Sequence, residues 1–269
     1  MNALFAANDL AYSGLELAVY TLLHHNPNTN IYVFTMTCII INPQTGEAHN
    51  YYALQDWQRG KLQKIVQYLG KGKANLVIKD ITELYLKYLD NSVNRYTGFT
   101  PLASLRLLAD IALPNVNNLW YFDCDVAITG DISNYYNYYI QKDCFYGAHV
   151  AQDACDGKGE MITGVMFMNL KKMRETKFLE QARYNYNHNL YEFPDQMAIR
   201  DTGDPEIFPS TLGYCDDLYE CLELPLIIHF TNLISLKIYF AKSREYFFRK
   251  FPFLKYAQEG IDLLDTINM

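Results

Sequence analysis

The stretch Leu119–Gly130, LWYFDCDVAITG, constrains the fold more than any other part of the chain. Leu119, Trp120, Tyr121 and Phe122 form a short apolar run of the length of a buried strand. The run ends abruptly in Asp123-Cys124-Asp125. Carboxylates at i and i+2 of extended backbone point to the same side. At a strand end they can converge on one hard cation, and carboxylate oxygens suit Mg²⁺ or Mn²⁺. Two such groups beside a hydrophobic strand are costly unless paired, hydrated or metal-bound. A cation held there can bind a diphosphate and neutralise charge developing on it. Asp-x-Asp alone is a weak motif; the alternative is a turn carrying two solvated aspartates.

Elsewhere, segments of strand and helix character alternate, which implies a layered α/β fold. Asn2–Ala7 reads as a buried strand, and Leu15, Val19, Leu22 and Leu23 recur at helical spacing until His24-His25-Asn26-Pro27. In sheets that open this way, ligands sit outside the carboxyl ends of the strands. Asn8, Asp9 and Tyr12 are therefore placed to meet a nucleoside, or else they are ordinary loop residues. Ile31–Ile41 is predicted as one strand, Tyr51–Leu54 as its return, and Asp56 as the cap of a helix through Leu69. Gly70–Lys73 lacks P-loop spacing and reads as a solvated connection. Tyr88–Thr100 reads as a surface loop. Thr100-Pro101 then starts a helix, SLRLLADIAL, on which Arg106 either snorkels to the surface or reaches a ligand.

Asp131 caps a short helix whose four tyrosines (Tyr135, Tyr136, Tyr138, Tyr139) are divided between packing and surface. Cys144–Val150 and Met161–Leu170 read as strands, the second with Gly164 permitting close backbone approach. Ala151–Glu160 between them is a candidate mobile loop. Lys171–Asn187 reads as one amphipathic helix, and Asp195 lies near the start of another. Leu226–Phe230 is a last strand ending in His229, either a structural histidine or the third ligand that a two-carboxylate site lacks. In the tail, basic residues interleave with aromatics from Lys237 to Tyr256. That pattern suits either an interfacial helix on an anionic membrane or a terminal helix packed on the domain.

Bulk properties narrow the function. Half of the 269 residues are hydrophobic, enough for a sizeable core, and a net charge of −7 argues against nucleic acid as a partner. The six cysteines include no C-x-x-C pair, which implies free thiols in a reducing compartment. No signal peptide is readable and no apolar run approaches a bilayer span, so the expected location is cytoplasmic or peripheral to a membrane. G-x-S-x-G and H-E-x-x-H are absent.

Taken in order, NALFAANDLAYSGLELAVYTLL, SLRLLADIALPNVNNLWYFDCDVAI, ITGVMFMNLKKMR, PDQMAI and IIHF resemble glycosyltransferase family 8, the family of lipopolysaccharide α-galactosyltransferases and glycogenin. Each segment alone is weak; their succession in the family's order is specific. The resemblance implies one GT-A-type domain over 1–269, a mixed, mostly parallel central sheet flanked by helices, with 237–269 a basic-aromatic helical tail. It implies a retaining, Mn²⁺-dependent (or Mg²⁺-dependent) transfer of a hexose from a UDP-sugar to a glycan or lipid-linked acceptor. Carried over by position, Asp123, Asp125 and His229 would bind the cation. Ala6, Asn8, Asp9 and Tyr12 would lie along the uridine, and Arg106, Asp123 and Cys124 near the ribose or sugar. Asp195 and Gln196 would line the sugar site as catalytic residues, and Lys237 would meet the diphosphate. The family's Asn-Ala before Gly-Val is Ile162-Thr163 here, and its H-F-x-G-x-x-K-P-W reads HFTNLISLK. Two rivals are a metal-dependent nucleotidyltransferase, which releases pyrophosphate, and a UDP-sugar-binding module without turnover.

Overall fold

The chain starts with β1 (Asn2–Ala6), α1 (Tyr12–His25), β2 (Asn30–Thr35), the hairpin β3 (Cys38–Ile41) and β4 (Ala48–Tyr51), α2 (Asp56–Gly70) and β5 (Leu76–Asp80). Then come α3 (Thr82–Tyr88), a 3-10 helix (Ala103–Leu108), α4 (Ala109–Ala112), β6 (Asn118–Phe122), β7 (Val126–Ile128) and α5 (Ser133–Gln141). Next are β8 (Tyr146–Ala151), β9 (Glu160–Asn169), α6 (Leu170–Glu175), α7 (Phe178–His188) and α8 (Pro194–Arg200). Short strands β10 (Glu206–Ile207), β11 (Tyr214–Cys215) and β12 (Ile227–His229) precede the C-terminal helix Pro252–Thr266. This computed structural model describes residues 1–42, 45–97, 99–151, 160–212, 214–215, 225–230 and 252–266. Lys237, the basic-aromatic segment up to 251 and the loop 152–159 lie outside the described residues.

The central sheet has the order β10-β8-β9-β6-β1-β2-β5. β6, β1, β2 and β5 are mutually parallel, and β9 is antiparallel to both β6 and β8. The apolar run of the Asp-x-Asp segment is therefore an inner strand, and its side chains alternate between two cores. Leu119 and Tyr121 pack on one face with Leu4, Leu107, Met166 and Ile199. Trp120 and Phe122 pack on the other with Phe5, Leu15, Val19 and Phe167. Trp120 is enclosed edge-on by Tyr139, Phe167 and Phe208. Tyr136 and Tyr139 are buried and Tyr138 is exposed, which divides the tyrosine cluster between packing and surface. A small second sheet, β11-β12-β7, joins the C-terminal helix through Ala127, Ile228, Phe230, Leu254 and Ile261.

Several boundaries differ from the sequence reading. Ile31–Ile41 is two strands, because the Thr35 and Thr37 hydroxyls accept the Leu54 and Ala53 N–H groups at 2.9 and 3.0 Å. β3 then leaves the sheet and pairs only with β4, so the return strand is Ala48–Tyr51, not Tyr51–Leu54. Asp56 is the first helical residue; Gln55 is the cap, exchanging hydrogen bonds with Gln58 in a capping box. Asp131 sits one residue ahead of the cap Ile132, although its carboxylate still accepts the Ser133 N–H at 2.8 Å. SLRLLADIAL begins as a 3-10 helix and ends in the short α4, with Ser104 Oγ donating to Pro101 O at 2.7 Å. Lys171–Asn187 breaks into α6 and α7 at Lys177, which takes a left-handed φ of 60°. The loop after α3 is not simply a surface loop: Ser92 and Asn94 are buried, and both donate to Tyr186 O.

The 3-10 helix and α4, which follows it directly, are locked to α7 by Arg183. Arg183 Nη1 donates to Asp110 Oδ1 at 2.6 Å and to Leu107 O at 2.6 Å, and Nη2 donates to Asp110 Oδ2 at 3.2 Å. Removing one partner of such a pair strands the other charge without solvent. Arg183→Met is accordingly expected to lower stability by about 3–5 kcal/mol in urea unfolding. A loss below about 1 kcal/mol, the range of exposed ion pairs, would contradict this account.

Candidate active site

β1 and β6 run parallel and end together, with Phe5 beside Phe122. The residues that follow them, Ala7–Asp9 and Asp123–Asp125, therefore emerge at one edge of the sheet. β9 starts at the same edge and runs back antiparallel to β6, and Asp123 N donates to Gly164 O at 2.8 Å. β7 turns away and pairs antiparallel with β12, setting His229 opposite Val126, and Phe230 N donates to Asp125 O at 2.8 Å. This second sheet carries His229 to the carboxylates although some hundred residues of chain separate them.

Asp123, Asp125 and His229 each offer a ligand atom within 4.8 Å of the others. His229 Nε2 lies 3.2 Å from Asp125 Oδ1 and 3.9 Å from Asp123 Oδ2. A side chain at Gly164 would drive a Cβ into the His229 imidazole, so only glycine leaves the ring this place. Asp123 presents one oxygen and commits the other: Oδ1 accepts Arg106 Nη2 at 3.0 Å and Tyr121 Oη at 2.7 Å. Asp125 Oδ1 is buried and faces His229 Nε2. Two carboxylate oxygens and an imidazole nitrogen thus converge, a set that could hold one divalent cation. Two hard oxygens with one imidazole suit Mn²⁺ and other first-row divalent ions better than Ca²⁺.

Arg106 stands behind this cluster and is only 2% exposed. It is neither a snorkelling residue nor open to solvent, because its neighbours satisfy it within the core. Nε donates to Ala103 O and lies 3.1 Å from Asp195 Oδ2, Nη1 donates to Thr163 O, and the guanidinium stacks 4.1 Å from the Tyr121 ring centroid. Burial alone would weaken its hold on the proton; Asp123, Tyr121 and Asp195 outweigh that and hold its pKa above the ordinary value. Burial pushes the Asp123 carboxyl upward against the pull of Arg106. Asp125 is also desolvated, but His229 beside it holds its carboxyl below the usual range. Burial and the two flanking aspartates push the Cys124 thiol well up, so it stays protonated and donates to Ala6 O at 3.3 Å. Ala6 and Cys124 thereby tie the ends of β1 and β6 together.

The residues expected along a nucleoside divide into two kinds. Asn8 Oδ1 accepts the Ala11 N–H at 3.0 Å and shapes the entry to α1, and Tyr12 Oη donates to Glu16 at 2.8 Å. Asp9 is held through its backbone by Tyr52 O and Gln58 Nε2, and its Oδ1 is buried with no partner among the described residues. Asp195 is buried against Arg106, and Gln196 Oε1 accepts the Thr163 N–H at 3.1 Å. Lys237 lies outside the described residues. Sequence reading missed Tyr121, Thr163 and the Arg183–Asp110 pair. Only Tyr121 carried a signal, since it precedes Asp123 by two residues in a strand and so shares its face.

An acidic pair at the carboxyl edge of this sheet, between the parallel β6-β1-β2-β5 half and an antiparallel β8–β9 pair, is the arrangement of a GT-A-type glycosyltransferase. The chain belongs to glycosyltransferase family 8, whose sequence model matches residues 12–200, and it is a glycosyltransferase. It is similar to the galactosyltransferase LgtC solved with donor and acceptor sugar analogues, at 14% identity and a TM-score of 0.61, over 86% of this chain and 87% of that one. It also matches the glycosyltransferase GlyE of Streptococcus pneumoniae TIGR4, at 17% identity and a TM-score of 0.57, over 85% of this chain and 54% of that one. Mouse xyloside xylosyltransferase 1 matches at 12% identity and a TM-score of 0.56, over 85% of this chain and 96% of the enzyme. No curated protein matches the chain significantly. No described helix is long and apolar enough to cross a membrane, and nothing in the described residues supports membrane contact through the tail.

The glycine at 164 offers a direct check of the cluster. Gly164→Ala is expected to displace the His229 ring and to remove most of the Mn²⁺-linked rise in melting temperature. A ligand at 100 times its Kd adds about 2.7 kcal/mol to native-state stability, so the wild-type rise is readily measured. An undiminished Mn²⁺ effect in the variant would show that His229 is not a ligand.

Proposed function

We propose that this glycosyltransferase moves a hexose from a UDP-sugar to a hydroxyl of a glycan or lipid-linked acceptor, with retention of anomeric configuration and dependence on Mn²⁺. The observation that carries the reading is the convergence of Asp123 Oδ2, Asp125 Oδ1 and His229 Nε2, backed by the buried Arg106. Family membership and the likeness to the galactosyltransferase LgtC support the donor class. A divalent cation held by these three residues would neutralise charge developing on the departing diphosphate.

The chain's own residues supply positioning and electrostatics. Asp9 Oδ1, with no donor among the described residues, suits the imide N–H of a uracil. Arg106 and Tyr121 fix one Asp123 oxygen and aim the other at the cation position. Asp195 and Gln196 sit beside them and would line the sugar site. In the reaction, the bond from the anomeric carbon to the β-phosphate oxygen breaks. A bond from the acceptor hydroxyl oxygen forms on the same face. The hydroxyl proton passes to the leaving diphosphate, so no dedicated protein base is required.

Binding of UDP measured calorimetrically with and without Mn²⁺ tests the reading. The wild type is expected to bind UDP only with the cation, and Asp125→Ala to lose that metal-dependent binding. Unchanged affinity in Asp125→Ala would remove the assignment. Products separate the remaining possibilities: release of UDP marks a transferase and pyrophosphate a nucleotidyltransferase. Binding without either product marks a sugar-nucleotide binder.

A further inference from the structure

We infer that Thr163 is a positioning residue that locks the side chain of Gln196 as a hydrogen-bond donor toward the sugar site. The inference rests on the transferase reading above and deepens it at one subsite. Thr163 is buried, 3% exposed, on the incoming end of β9. Its backbone N–H donates to Gln196 Oε1 at 3.1 Å, and its hydroxyl reaches the same oxygen at 3.3 Å. A backbone N–H can only donate, so the amide atom facing it is the carbonyl oxygen. Both bonds therefore take up Oε1 and turn Nε2, a pure donor, away from Thr163. No described residue accepts from Nε2. The Thr163 carbonyl meanwhile accepts Arg106 Nη1. One residue thus fixes the buried cation behind the metal cluster and the amide beside Asp195.

The resemblance to the family sharpens the point, because the family's motif has alanine where this chain has Thr163. An alanine supplies the backbone bond alone. With one bond the amide can swing about its terminal torsion, which is broad for glutamine. With two it is held in one orientation. Gln196 then serves by donating to an oxygen of the sugar or the departing phosphate, and its carbonyl is not available as an acceptor or nucleophile.

The test uses the full chain with Thr163→Val, Thr163→Ser and Gln196→Glu. Two readouts are UDP release from UDP-galactose in Mn²⁺, with water as acceptor, and the ¹⁵N side-chain amide pair of Gln196. Thr163→Val, which keeps shape and loses the hydroxyl, is expected to lower kcat by roughly 3- to 10-fold, the worth of one neutral hydrogen bond. KM and the affinity for UDP-galactose are expected to stay as in wild type. Thr163→Ser restores kcat. Gln196→Glu keeps an oxygen for Thr163 but has no donor, and is expected to lose turnover with Thr163 intact. The Gln196 amide pair is expected to be single and sharp with Thr or Ser and broadened with Val, independent of turnover. An unbroadened pair and wild-type kcat in Thr163→Val, failure of Ser to rescue, or full activity of Gln196→Glu would each overturn the inference. A wild type that binds no uridine nucleotide in Mn²⁺ would instead overturn the donor reading itself.

Discussion

The guanidinium of Arg106 is a full charge buried beneath the open edge of a sheet, and the surrounding structure is arranged to satisfy it. Desolvation of an ion costs several kcal/mol unless partners replace the lost water. Here Asp123, Asp195, two backbone carbonyls and the Tyr121 ring replace it. The dependence runs both ways. Asp123 projects from the end of β6, Thr163 from the incoming β9, Asp195 from the first turn of α8, and Ala103 from the element that carries Arg106 itself. One charge therefore fixes four separate pieces of chain relative to one another. The element bearing it is anchored in turn by Arg183 and Asp110. Such a centre pre-sets the geometry of the carboxylates, which lowers the cost of ordering them around a ligand.

Topology explains why the site forms where it does. Parallel β1 and β6 deliver two loops to the same edge, and antiparallel β9 delivers a third in the opposite sense. The small β7–β12 pairing then returns His229 to the acidic pair, and Gly164 leaves room for its ring. The C-terminal helix packs on the outer side of that pairing through Leu254, Ala257 and Ile261. Burial of Leu254 and Ile261 contributes on the order of 1.5–3 kcal/mol each, so the helix buttresses the strand that ends in His229.

How much of this was legible in the sequence depended on the range of the interaction. The Asp-x-Asp strand, the strand-loop-helix opening, the Met161–Leu170 strand and the close approach at Gly164 were readable, because periodicity, apolar runs and glycine express local rules. The pairing of His229 with the aspartates came from resemblance; no local rule announces a contact across so much chain. Arg106 was ambiguous because a lone cation on an apolar helix snorkels as readily as it pairs, and only tertiary packing decides. The breaks at Thr35–Thr37 and Lys177 were missed for a related reason. In both, side-chain hydroxyl bonds or a left-handed residue override a continuous apolar pattern. Thr163 gave no signal as a node, since its three bonds go to residues distant in the chain.

The central claim is that Asp123, Asp125 and His229 together hold one divalent cation against the diphosphate of a uridine nucleotide. A crystal grown with MnCl₂ and UDP, with data collected at the manganese absorption edge, tests it most directly. The account predicts one strong anomalous peak bonded to Asp123 Oδ2, Asp125 Oδ1 and His229 Nε2, with the diphosphate completing its coordination. UDP bound with no anomalous peak, or a peak held by other residues, would contradict it.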